Sequence, residues 1–169
     1  MRQIALLVAV VGASACTNAA APTTKISPPN PVLTASHYLH YDERTHRQEL
    51  IYYIGVDPVK IEWCAAFVNS VLDESNLPSN REHKYPLTAR AFLDWGYSVN
   101  PDEIEPGDIV VFPRGNQGWQ GHVGFYVKSV MVRDEEYYAI LGGNQNNKVS
   151  IELYPARKAL GIRRDTQEI

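Results

Sequence analysis

The stretch Ile61-Glu62-Trp63-Cys64-Ala65-Ala66-Phe67-Val68-Asn69-Ser70-Val71-Leu72 decides how the chain is read. Ile61, Cys64, Ala65, Phe67, Val68, Val71 and Leu72 follow the three-four spacing of an amphipathic helix, and Asn76 and Pro78 supply its stop. A thiol is thereby placed in or near the first turn of a helix. A thiolate attacks a carbonyl far better than a thiol, and its pKa falls at a helix N-terminus beside an imidazole. Gly121-His122-Val123-Gly124 offers that imidazole at the start of an extended segment, between glycines that let a substrate backbone approach. Taken singly, Cys64 also reads as a small buried hydrophobe, and His122 as a surface or capped strand-end histidine.

Around this pair the periodicity changes from helical to extended. From Ser36 to Ile54, Tyr38, Leu39, Leu50, Ile51 and Ile54 can share one face while Asp42, Glu43, Arg44 and Arg47 stay in water, which predicts a helix. A shorter helix is expected from Thr88, a suitable N-cap, through Ala91, Phe92 and Trp95 to Gly96 at the C-terminal cap. Beyond Pro101 the strand candidates are 108–112, 122–127, 137–141 and 149–153, with 160–164 as a further piece. Helices first and an antiparallel run of strands afterwards predict an α+β domain. Asp108, opening a strand after Pro106-Gly107, reads as a turn-fixing residue.

The chain has 169 residues and a formal net charge of −3, with acidic and basic side chains interleaved. One domain of ordinary size is expected, and no basic stripe is present to track nucleic-acid phosphates. Met1-Arg2, the apolar stretch Ile4 to Val11 and the small residues before Cys16 together match a secretory signal over 1–15. Ala13-Ser14-Ala15 fits ordinary cleavage, whereas small residues directly before Cys16 resemble a lipobox, although Ala13 stands where Leu is usual. The favoured reading is a lipid on Cys16 that ties the protein to a membrane, and uncharged Thr17 resembles outer-membrane sorting into the periplasm. Residues 16–35, rich in Ala, Thr, Ser, Asn and Pro, are expected to form a flexible tether, leaving 36–169 for the functional domain. Lipidation of Cys16 would leave Cys64 as the mature protein's single thiol, which in an oxidising compartment points to chemistry. His37 and His40 are three apart, but no acidic or Cys partner completes a metal spacing, so neither metal nor organic cofactor is expected.

The flanking words carry a resemblance. Trp63-Cys64-Ala65-Ala66-Phe67-Val68-Asn69, Pro106-Gly107-Asp108-Ile109-Val110-Val111-Phe112, Gly121-His122-Val123-Gly124-Phe125-Tyr126-Val127, Leu141-Gly142-Gly143-Asn144-Gln145 and Leu160-Gly161-Ile162-Arg163 follow one another in an order and spacing over 36–164. This order resembles the CHAP and NlpC-like superfamily of peptidoglycan amidohydrolases, especially a phage-associated subgroup. The resemblance implies a papain-like cysteine hydrolase fold, with N-terminal helices packed on an antiparallel β-sheet and Cys64 set against His122. It implies Asn144 as the polar group orienting the imidazole, with Gln145 in reserve, while the same Gly-Gly-Asn-Gln-Asn-Asn run also suits a simple turn. Trp63, Trp119, Gly121 and Gln145 are the expected substrate contacts, and the backbone N–H of Cys64 the oxyanion site. The implied reaction is acyl transfer at a peptidoglycan amide, as an amidase or endopeptidase working as a monomer, with room for an inhibitor protein as partner. Related sequences often carry Pro where this chain has Glu62, whose carboxylate would oppose thiol activation. Two other readings stand beside it: a non-catalytic wall-binding lipoprotein of the same fold, and a papain-like hydrolase or acyltransferase acting on another exported amide.

Overall fold

The computed structural model describes residues 30–166. The signal over 1–15, the lipid on Cys16 and the tether as far as residue 29 lie outside the described residues. Three helices, α1 (Pro31–Ser36), α2 (Arg47–Ile54) and α3 (Cys64–Glu74), precede a 3₁₀ turn at Ala89–Asp94. The strands are β1 (Tyr97–Ser98), β2 (Ile109–Pro113), β3 (Gly121–Val132), β4 (Glu135–Gln145), β5 (Lys148–Pro155) and β6 (Gly161–Arg164). They form one sheet in the order β1-β6-β2-β3-β4-β5. Every pairing is antiparallel, so the architecture is the expected α+β arrangement.

Strand alternation divides the apolar side chains between two faces. Ile109, Val111, Val123, Phe125 and Leu141 meet Leu50, Trp63, Phe67, Val68 and Val71 in the larger cluster, beneath the helices. Val110, Phe112, Tyr126, Ile140 and Ile162 turn to the other face and form the smaller one. All residues from Cys64 to Leu72 are buried, which makes α3 the central helix. Each large apolar side chain removed from water there contributes about 1.5–3 kcal/mol. Asn76, at φ 56°, ends α3 as a left-handed cap, and Leu77 N–H returns to Leu72 C=O at 2.9 Å.

Three expectations need correction. Of the single helix expected over Ser36–Ile54, only Arg47–Ile54 is helical beyond the last residue of α1, because residues 40–43 pair with the start of β5. His40 N–H donates to Val149 C=O, Val149 N–H to Tyr41 C=O and Glu43 N–H to Asn147 C=O, each at 2.9 Å. His40 takes φ 73° to make the turn, and Asp42 Oδ1 accepts from Arg44 and Thr45 N–H to restart the chain. The tether does not reach residue 35: Asn30 caps α1, and Ala35 is fully buried in the main cluster. The helix after Thr88 is a 3₁₀ turn without a side-chain cap. The sequence reading also missed β1, whose two residues pair with Arg163 and Arg164.

Asp108 does more than shape a turn. Its Oδ2 accepts Glu105 N–H at 2.8 Å, and both carboxylate oxygens receive the Arg164 guanidinium, at 2.7 and 2.9 Å. This forked pair joins the entrance of β2 to the end of β6, and the Asp108 side chain is 2% exposed. Removing one partner of such a pair strands the other charge. Arg164→Leu is therefore expected to lower the unfolding free energy by about 3 kcal/mol, and Asp108→Asn in that background to restore part of it. Chemical denaturation measures both, and an Arg164→Leu protein as stable as the parent would refute the assignment.

Candidate active site

Cys64 is the first residue of α3, and Trp63 before it, at φ −120° and ψ 10°, supplies no side-chain cap. The first-turn N–H groups of the helix therefore keep no side-chain acceptor, and such groups favour negative charge nearby. The thiol is 3% exposed and is a free cysteine. Burial pushes its pKa up, while the Arg114 charge and the N–H groups of Val123 and Ala65 that face the sulfur pull it down. Glu62 pushes it up, as a smaller influence than Arg114. The sulfur thus lies against the backbone of Val123, the residue that follows His122.

His122 stands at the start of β3 and is 1% exposed. Its Nε2 lies 3.0 Å from Gln145 Oε1. The Gln145 amide has one possible orientation, because its Nε2 donates to Ser150 C=O at 2.6 Å, with Ile140 C=O at 3.2 Å and Gly142 C=O at 3.4 Å also around it. Oε1 must then accept, His122 Nε2 must carry the proton, and Nδ1 is left with a bare lone pair. That Nδ1 is buried and has no hydrogen-bond partner among the described residues. Tyr154 stacks on the imidazole at 5.2 Å between centroids and 16° between planes, and Phe112 stacks on Tyr154. Desolvation first, and the Arg114 charge second, hold the imidazole pKa down to about 4, against the opposing hydrogen bond of Gln145. The resting pair is an uncharged thiol and an uncharged imidazole.

The residue hydrogen-bonded to the imidazole is Gln145, held in reserve in the sequence reading, and Asn144 makes a different contact. Gly142 pairs with Ser150 and Gln145 with Lys148, so three steps along β4 oppose two along β5. The extra residue is a bulge, where Asn144 adopts φ 58°. One inserted residue reverses the alternation, and Gln145 takes the face that Asn144 would hold in an unbroken strand. Asn144 Nδ2 instead donates to Glu62 Oε2 at 2.6 Å. A second correction concerns Trp63, which is fully buried with Nε1 on Glu43 Oε2 at 3.3 Å, and so is core and not a substrate contact. A Cβ on Gly143 would come within 2.5 Å of the Trp63 ring and 2.7 Å of Phe67 Cβ, so a glycine is needed for the helix to sit against β4 here.

A cleft of about 300 Å³ opens over Cys64. Its walls include Gly121 and Trp119, two of the residues proposed from the sequence to meet substrate, together with Glu62, Leu87 and Arg114. Trp119 is 66% exposed, a large aromatic surface in water at the mouth. Arg114 donates from Nη1 to Glu62 Oε2 at 3.2 Å and from Nη2 to Asn144 C=O at 3.0 Å. Sequence reasoning missed Arg114 and Tyr154. Arg114 stands one residue past β2 with no motif around it, and Tyr154 looks like any strand aromatic until its neighbour is known.

Comparison with family models matches residues 56–144 to the CHAP domain, more than half of the chain and a span holding Cys64, His122 and Asn144. No curated protein matches the sequence. Gln145 and Tyr154 fall just outside the matched segment, yet both act on a histidine within it. By the extent of that match, the chain belongs to the CHAP domain family, whose members are typically hydrolases acting on peptidoglycan.

Proposed function

We propose that the chain cuts an amide bond of peptidoglycan, as an amidase or a peptidase, through a thioester on Cys64. The observation that carries this reading is the buried Nδ1 of His122, left bare by the Gln145 bond and without a hydrogen-bond partner among the described residues, on the strand whose Val123 N–H faces the thiol that begins an uncapped helix. As the sulfur attacks the carbonyl, Nδ1 takes the thiol proton and the carbonyl π electrons move to the oxygen, which accepts a hydrogen bond from the N–H of Cys64. The imidazolium then gives that proton to the departing amine as the C–N bond breaks. Water, deprotonated by the same Nδ1, attacks the thioester and restores the thiol. Throughout, Nε2–H stays on Gln145, which holds the tautomer that the cycle requires. A wall substrate also agrees with the export signal read in the first fifteen residues.

Protein beginning near residue 30 is expected to release soluble fragments from purified walls, and Cys64→Ala to lower that rate by about 10⁴-fold or more with the fold intact. Equal release by the variant would leave a wall-binding domain or another exported amide as the better reading. Mass spectrometry of the fragments separates a free lactyl end, left by an amidase, from a cut within the peptide stem.

Gln145→Leu should lower kcat by about 10- to 100-fold, the loss typical when the group orienting a functional imidazole is removed. Asn144→Gly, at a backbone conformation that suits glycine, should lower kcat far less. The reverse order in steady-state kinetics would return the orienting role to Asn144.

The acid limb of kcat/KM reports the essential base of the free enzyme. An imidazole held down to about 4 stays an active base as pH falls through the ordinary histidine range. Activity is therefore expected to persist below pH 6 and to fall as His122 gains a proton near pH 4. A limb at the ordinary value of about 6.5 would mean that the imidazole is not desolvated when it works.

A further inference from the structure

Glu62 lies at the cleft with its side chain 77% exposed, yet its carboxylate reaches inward to two donors. Those donors, Arg114 Nη1 and Asn144 Nδ2, converge on the single oxygen Oε2, at 3.2 and 2.6 Å. Asn144 is 5% exposed, and the Arg114 guanidinium is also anchored by the Asn144 carbonyl at 3.0 Å, so both donors are fixed by the bulge of β4. The arrangement is a built receptor for a carboxylate, and the carboxylate in it hangs from the flexible side chain of a residue two before Cys64. An exposed carboxylate pairs weakly because water competes for it, whereas a guanidinium offers a planar fork that takes a carboxylate through two parallel bonds. Among the described residues Arg114 uses one donor on Glu62 and one on Asn144, which leaves the rest of the fork for a better-placed acid.

We propose that Arg114 and the Asn144 amide form a carboxylate-binding subsite next to the nucleophile, occupied by Glu62 until an anionic group of the substrate displaces it. This rests on the peptidoglycan reading, since the stem peptides of that polymer carry free carboxylates close to their amide bonds. The subsite selects stems whose flanking acid is free over stems in which it is amidated, because a carboxamide brings no charge to the guanidinium. It also assigns Glu62 a use: it satisfies Arg114 in the empty cleft and so keeps small anions from the nucleophile. The displaced Glu62 swings into water, which its exposed position allows without movement of the backbone.

The test uses the Cys64→Ala protein, which binds without turnover, and two probes: a synthetic wall-stem peptide with its carboxylates free, and the same peptide amidated. Titration calorimetry is expected to show the free-acid form binding at least about tenfold more tightly, about 1.4 kcal/mol. Arg114→Gln in that background should remove the preference, Arg114→Lys should keep part of it, and Glu62→Gln should enlarge it by removing the internal competitor. Equal affinity for both probes, a preference that survives Arg114→Gln, or no binding of either form while the parent still digests walls would overturn the subsite. Failure of the peptidoglycan reading looks different: the parent releases nothing from walls, whatever the two probes do. A carboxylate preference that Arg114→Gln abolishes would then stand as a property of the cleft.

Discussion

Between Gly142 and Gln145, β4 carries one residue more than the strand beside it, and the site hangs on that residue. In a regular antiparallel pair, side chains alternate strictly, so a single insertion exchanges what faces each side. Here it sets the Gln145 amide under the imidazole and sends the Asn144 amide to the rim, where it meets Glu62. Gly143, within the same bulge, lets Trp63 and Phe67 close against the strand and so brings the start of α3 to the thiol's position. The thiol, the amide that holds the imidazole and the cationic rim are thus all referenced to one short irregularity.

Much of this was legible in the residues. The period of α3, the strand runs and the order of helices before sheet all come from apolar spacing, which burial enforces over many residues at once. Cys64 and His122 were legible because each sits at an element's end, where sequence signals are strong. Asn144 against Gln145 was not legible, since a bulge is an error of one in the register and Gly-Gly-Asn-Gln is equally good sequence for either phase. The break in the expected helix over 36–54 was also hidden. The pattern there does suit a helix, but pairing of residues 40–43 with β5 competes with it and wins, and the partner lies at residues 147–149. Trp63 misled for a related reason, because adjacency in sequence to a nucleophile says nothing about which way the neighbouring side chain turns.

The electrostatics of the pair follow from enclosure. Burial acts in opposite senses on the two groups, raising the thiol and lowering the imidazole, and both changes favour the uncharged forms. Arg114 lowers both, so it helps the sulfur to ionise while it hinders the ring from taking a second proton. Negative charge is therefore best tolerated at the sulfur, close to the N–H groups that open α3. In the reaction proposed above, proton movement and bond formation would be coupled, since burial favours the uncharged form of both groups.

The docking of residues 40–43 onto the first residues of β5 bears on how quickly this chain acquires its shape. Strands β3, β4 and β5 are joined by tight turns and can zip locally, but the segment at residue 40 must find residue 149 across nearly the whole domain. Contacts that close such long loops are expensive in chain entropy and slow the search. The N-terminal end of the domain can thus be tied in only once residues 147–149, far along the chain, have been made.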